Sequence, residues 1–171
     1  MIEHELILLG LLKESPKHGY YIKKKVRQIL SLFAGVDLKS VYYPLRVLEK
    51  KGLVVKHTGK QGRWPQRFVY ALTSKGEERF NKLLIKSFLD FTRPQFSLDV
   101  SLYFLHYMPR KLVVRRLRAR MSIVKQLSVK IAQAMDVLQK RKDFASARIL
   151  EHNLQMLHAE TKFLSHLVTS L

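Results

Sequence analysis

The stretch SVYYPLRVLEKKGLV, residues 40–54, sets Tyr42, Tyr43, Arg46 and Lys50 along one side of an expected helix, with Lys39 and Ser40 just ahead of it. These side chains donate hydrogen bonds or carry positive charge. Arg46 has the planar fork that matches a guanine edge, while the lysines, the serine and the tyrosines suit backbone phosphates or a thymine methyl. Such donors bind polyanions and do not by themselves catalyse. No paired carboxylates in a cleft-like loop, no Ser-His-Asp order and no phosphate-cradling glycine loop accompany them, and the 171 residues hold only 13 Asp+Glu and 7 Gly. The chain reads as a non-enzyme.

Charge points the same way. Against those 13 acids stand 32 Lys+Arg, a formal net charge of +19 that favours a nucleic acid or an anionic surface over a small acidic metabolite. Residues 1–92 carry 18 basic and 8 acidic groups, a net +10, and residues 93–171 carry 14 and 5, a net +9. There is no cysteine, so disulfides and thiolate metal sites are excluded and a cytoplasmic location is expected. His152, His158 and His166 are six and eight apart, off the three-or-four spacing of one helix face, and they imply no metal or other cofactor. The apolar run LILLGLL, residues 6–12, is far short of the roughly 20 residues that span a bilayer. No membrane role is expected of it.

The elements that must position the donors follow from pattern. Residues 5–14 are apolar nearly all round, which predicts a central core helix ended by SPKHGY. Ile22, Val26, Ile29 and Phe33 predict an amphipathic second helix closing near Gly35. In the third, Val41, Leu45 and Leu48 face inward and Gly52 stops it, with Ser40 as the expected N-cap. Pro44 then lies just past the turn of free N–H groups and forfeits only the first backbone bond. LVVKH (53–57) and RFVYAL (67–72) predict a two-stranded hairpin whose tip bears Lys60, Arg63 and Trp64, with Arg67 at its base. Ser74 and Glu77 form a capping-box pattern opening a fourth helix with Phe80, Leu84, Phe88 and Phe91 on its apolar side.

Three helices followed by a hairpin is the order of a winged helix-turn-helix. The segments HGYYI, SVYYPLRVLEKKGLV and GRWPQRFVYALTSKG resemble, in order and spacing, the signature of PadR-type transcriptional regulators over roughly residues 4–85. The resemblance implies a sequence-specific, DNA-binding regulator, expected to be a repressor. It implies that Tyr20 of the HGY turn reaches a phosphate, that Tyr42, Tyr43, Arg46 and Lys50 face the major groove, and that Lys60, Arg63, Trp64 and Arg67 follow the backbone or minor groove. Trp64 fits either the DNA or packing on a neighbouring helix. In many relatives the proline stands directly after the first tyrosine, whereas here a second tyrosine intervenes, which leaves open which of Tyr42 and Tyr43 meets DNA.

Beyond the Pro-marked linker at residues 92–94 the chain reads as wholly helical, which makes the fold class mainly α with a small β-wing. Domains are expected at 1–92, DNA-binding, and 93–171, helical and dimerising. QFSLDVSLYFLHYM (95–108) predicts one helix, and Pro109 opens the next. Leu117, Val124, Ile131 and Leu138 repeat every seven residues, as do Leu150, Leu157, Leu164 and Leu171 in the last helix, two narrow stripes typical of an antiparallel coiled-coil-like pair. These eight are the expected dimer seam, and a homodimer implies an inverted-repeat operator. The helical extension resembles the virulence-activator branch of the same family.

Two features remain. RKLVVRRLRAR (110–120) holds six positive charges and no acid, either a solvated face or a helix that flanks DNA. Phe88, Phe91, Phe96, Tyr103, Phe104 and Tyr107 form an aromatic group, either core or the lining of a pocket for the small hydrophobic or phenolic effectors common in the family. The uniform charge also fits a second class, a nonspecific or architectural nucleic-acid-binding protein.

Overall fold

Helix α1, Ile2–Glu14, buries Leu8, Leu9, Leu11 and Leu12, which face different sides of the cylinder, so other elements must surround it. The structure, a computed structural model, describes residues 2–30, 38–59, 67–90 and 98–171, in two units, Met1–Thr92 and Arg93–Leu171. Lys17, itself buried, closes the end of α1: its Nζ donates to Leu11 O at 2.6 Å and Ser15 O at 3.1 Å and pairs with Glu14 at 3.2 Å. These bonds satisfy carbonyls that a helix end leaves without partners.

Lys17–His18 form β1, which pairs antiparallel with β3, Arg67–Leu72; β2, Val54–Gly59, pairs with the other edge of β3. The expected hairpin is present as β2 and β3, and β1 extends it to a three-stranded sheet of order β1-β3-β2. Two residues beside a proline carry no alternating pattern of their own, so only the fold reveals β1. Helix α2, Gly19–Leu30, presents Ile22 and Val26 to the core, and helix α3, Tyr42–Lys50, presents Leu45 and Leu48. With Tyr70, Leu53, Val54 and Leu83 these residues make one contiguous core.

Helix α4, Ser74–Ser87, corrects two expectations. Its N-cap is Thr73, whose hydroxyl accepts from Gly76 N at 3.0 Å and donates to Gly52 O at 2.8 Å, so the cap lies one residue before Ser74. Its buried side runs through Gly76, Phe80 and Leu83, whereas Leu84 and Phe88 are exposed. Spacing of 4, 3 follows 3.6 residues per turn more closely than the expected 4, 4, and Phe91 lies outside the described residues. The packing of α4 on α1 is close: a Cβ on Gly10 would come within 3.1 Å of the Phe80 ring, Arg79 pairs with Glu5, and Lys13 pairs with Glu77.

In the second unit a single helix is expected over 95–108; residues 95–97 lie outside the described ones, and the rest holds a short helix α5, Asp99–Tyr103, and a 3-10 turn, Leu105–Tyr107. Helices α6, Arg110–Lys140, and α7, Phe144–Ser170, form a hairpin. The break between them is a Schellman motif, with Lys142 N on Gln139 O and Asp143 N on Leu138 O, each 2.9 Å, and Lys142 at φ 59° where glycine is usual. Asp143 then caps α7 by accepting from Ser146 N at 3.1 Å.

The heptad residues close this hairpin within one chain. Within one chain Leu117, Val124, Leu150 and Leu164 are buried and Ile131, Leu138, Leu157 and Leu171 half-buried. A helix tethered by a short turn is present at far higher effective concentration than a second chain, and it takes the stripe first. Arg120 Nε and Glu160 Oε1, 2.9 Å apart, add a polar tie between the two helices.

Candidate nucleic-acid interface

The outward face of α3 is built by its ends. At the C-terminus Gly52, φ 68°, allows Gly52 N to reach Glu49 O at 2.9 Å and Leu53 N to reach Leu48 O at 3.0 Å, another Schellman motif that turns the chain into β2. At the N-terminus Val41, not Ser40, holds the N-cap position and makes no side-chain cap bond. Val41 is chosen by burial, being almost wholly inaccessible, while Ser40 faces solvent. Pro44 is thus the third residue of α3, among the N–H positions that have no helical acceptor, and it forfeits no bond at all. Leu45 N on Val41 O, 3.1 Å, is the first.

That register settles which side chains point out. Tyr42, Tyr43, Arg46, Glu49 and Lys50 are exposed, Tyr42 by 49% and Tyr43 by 71%, so neither tyrosine is core. Lys39 and Ser40 are exposed immediately before them, and Tyr20, 74% exposed, stands at the start of α2. None of Lys39, Arg46 and Lys50 enters an ion pair among the described residues, so their charge is available to a ligand.

Tyr42 also belongs to a hollow of about 640 Å³ lined by His18, Gly19, Tyr20, Tyr21, Phe68 and Tyr70. Gly19 makes the hollow possible: a Cβ there would come within 3.1 Å of the Tyr42 ring and 3.4 Å of the Tyr70 ring. Burial, reinforced by the nearby Glu49 charge, raises the Tyr70 phenol above its ordinary value, so it stays a neutral hydroxyl. On β3, Phe68 lies under Lys56 Nζ, 3.6 Å from the ring centroid. Tyr21, Phe68 and Tyr70 are residues that sequence spacing did not join to α3; Phe68 and Tyr70 did share a period-2 face, but nothing in the sequence says which helix that face meets.

Lys60, Arg63 and Trp64 of the wing lie outside the described residues; Arg67 opens β3. The aromatic group is not a shared core. Phe88, Tyr103, Phe104 and Tyr107 are all exposed, and Phe91 and Phe96 lie outside the described residues. The second unit instead has an apolar hollow of about 330 Å³ lined by Leu98, Leu102, Leu105, Met108, Val113 and Leu117, with Arg116 and Arg120 at its polar side. Among the described residues no cluster of metal-ligating side chains occurs, and no helix is long and apolar enough to cross a membrane.

The fold has known counterparts. Residues 8–82 match the model of the transcriptional regulator PadR-like family. The chain is similar in structure to Bacillus subtilis PadR in complex with operator DNA, at 18% identity and a TM-score of 0.76 over 97% of this chain and 96% of that one. The same Bacillus protein in complex with p-coumaric acid superposes at 17% identity and a TM-score of 0.77, covering 97% and 96%. The Vibrio cholerae virulence activator AphA does so at 15% and 0.69, covering 98% and 96%. No protein of curated function matches the chain by sequence.

Proposed function

We propose that this chain, whose residues 8–82 match the model of the transcriptional regulator PadR-like family, is a cytoplasmic, homodimeric repressor that binds an inverted-repeat operator in duplex DNA. The observation that carries the reading is the outward face of α3, where Lys39, Arg46 and Lys50 are exposed beside Tyr42 and Tyr43 and enter no ion pair among the described residues. Arg46 reads a guanine edge as a bidentate donor. Lys39, Ser40, Lys50 and Tyr20 hold phosphates and fix the register, and Tyr42 and Tyr43 pack on a thymine methyl or bond the backbone. In the wing Lys60, Arg63, Trp64 and Arg67 add contacts along the backbone or minor groove.

Dimerisation is assigned to the C-terminal helices, with half-sites about one helical turn apart, roughly 34–36 Å. Because the heptad seam is largely closed inside the protomer, the surface offered to the second copy is the stripe still exposed, Ile123, Leu127 and Val137 on α6 and Met156 and Phe163 on α7. A small hydrophobic acid is the effector class, supported by the apolar hollow edged by Arg116 and by the p-coumaric acid complex of the similar Bacillus protein.

Arg46→Ala tests the reading: it should weaken binding to the selected operator by about 1–3 kcal/mol and relax base preference at one position, with little change on random duplex. Equal losses on operator and random DNA would favour the second reading, a nonspecific coating protein, which the near-equal charges of the two units support. The ratio of specific to nonspecific affinity at one salt concentration separates the two.

A further inference from the structure

The arginine-rich start of α6 divides into two faces that the sequence run does not distinguish. Arg116 and Arg120 border the apolar hollow beside Leu98 and Leu105, and Arg120 is paired with Glu160. Arg110, Lys111, Arg115 and Arg118 line a separate, open groove floored by Val114 and Val168. No acidic side chain lines this groove, and none of its four cations enters an ion pair among the described residues.

Neighbouring like charges about 6 Å apart repel by roughly 0.7 kcal/mol per pair even at the dielectric constant of water, so four uncompensated cations on one surface are kept at a cost. From Lys111 to Arg118 the helix rises about 10 Å at 1.5 Å per residue, a length over which duplex DNA presents about six phosphates at one charge per 1.7 Å. One small anion would leave most of these cations unmatched. An interfacial membrane helix needs a broad apolar face with Trp, Phe or Leu beside its cations, and this groove offers two valines.

We infer that this face of the C-terminal unit is a second DNA-contacting surface, in which Arg110, Lys111, Arg115 and Arg118 take backbone phosphates of duplex DNA. It rests on the DNA-binding reading above. It adds affinity without base preference and makes binding steeper in salt than the N-terminal unit alone would.

The experiment is a salt titration of full-length protein on one long mixed-sequence duplex, followed by fluorescence anisotropy. Replacing the four residues by Gln should lower the slope of log Kobs against log salt by roughly 3 to 4, at about 0.9 per lost phosphate contact. The milder double variant, Lys111→Gln with Arg118→Gln, should lower it by about 2. Lys130→Gln, about three turns further along the same helix and exposed, should leave the slope where it was. A slope unchanged in the double and fourfold variants, with duplex binding retained, overturns the inference while leaving the DNA-binding reading intact; a Lys130→Gln effect as large as that of Arg115→Gln also overturns it. If the variants lose binding to phosphatidylserine vesicles and keep the full salt slope on DNA, the face serves a membrane and the inference falls. A wild-type protein that binds no duplex defeats both.

Discussion

The two units carry almost the same net charge, +10 and +9, yet they use apolar residues in opposite ways. In the N-terminal unit α1 is enclosed, and Leu8, Leu9, Ile22 and Leu45 are fully buried; among the described residues, the large apolar ones left outside are tyrosines with a polar tip, Phe68 of the wing, and Leu84, Ile85, Phe88 and Leu89 toward the end of α4. In the C-terminal unit two long helices share a narrow seam, and Tyr103, Tyr107, Ile123, Leu127, Val137, Phe144 and Phe163 stay exposed. A surrounded helix closes its own core. A hairpin of two helices covers only one stripe on each, and the rest must meet another chain or remain wet.

The sharpest way to break that contrast is to open the closed core. At Gly76 a Cβ would lie 2.0 Å from the Leu53 carbonyl oxygen, and the backbone on both sides is held, since Thr73 N bonds the same Leu53 O at 3.1 Å. Gly76→Ala should therefore destabilise the N-terminal unit by more than about 3 kcal/mol, in the range of severe core lesions, read by chemical denaturation. A loss under 1 kcal/mol would mean that Leu53 and α4 move apart freely and the core is not closed.

The open unit should respond to a surface change instead. Ile123→Glu with Leu127→Glu should leave α6 and α7 helical while weakening self-association by about 3 kcal/mol, seen as monomer in sedimentation at concentrations where the parent is dimeric. Retained dimerisation would move the interface to another face.

A smaller effect separates the units by pH. The Arg79 guanidinium, bonded to Glu5 at 2.8 Å, holds that carboxyl below its ordinary value against the opposing effect of partial burial. A depressed folded-state value means that the contribution is present above the unfolded value, near pH 4.3, and is lost as pH falls through the lower folded one. Because Arg79 is substantially exposed, the pair is worth only about 0.5–1 kcal/mol. Arg79→Ala should cost that much at pH 7, and the cost should fade as pH drops through the lowered folded value and Glu5 becomes protonated in both states.

The smallest change expected is a gain. Lys142 holds a left-handed backbone at the hairpin turn, and Lys142→Gly should stabilise the C-terminal unit by about 0.5 kcal/mol, the relieved strain exceeding the entropy that glycine adds to the unfolded chain. No gain in thermal midpoint would show that the lysine side chain makes compensating contacts there.

Much of the molecule was legible beforehand, for identifiable reasons. The inward residues of α2 and α3 follow from strict helical period, the stop at Gly52 from the need for positive φ, and the outward set Tyr42, Tyr43, Arg46 and Lys50 from the remaining side of the same helix. Caps were harder: Ser40 has the better capping chemistry, but Val41 is anchored in the core and takes the position, and Thr73 displaces Ser74 because its hydroxyl also reaches the Gly52 carbonyl. The interruption at Phe104 that splits the expected helix over 95–108 has no glycine or proline to announce it.

Local chemistry along the chain, then, determined that this protein is basic and mainly helical, with its polar donors on the third helix, because period, turn residues and charge act over a few neighbours. Tertiary structure alone decided that Tyr42 shares a hollow with Tyr70 and Phe68 across Gly19, that the heptad seam closes within one chain, and that Arg115 and Arg116 point to different grooves. Those outcomes depend on which distant surface wins a given stripe, and one-dimensional spacing holds no record of that competition.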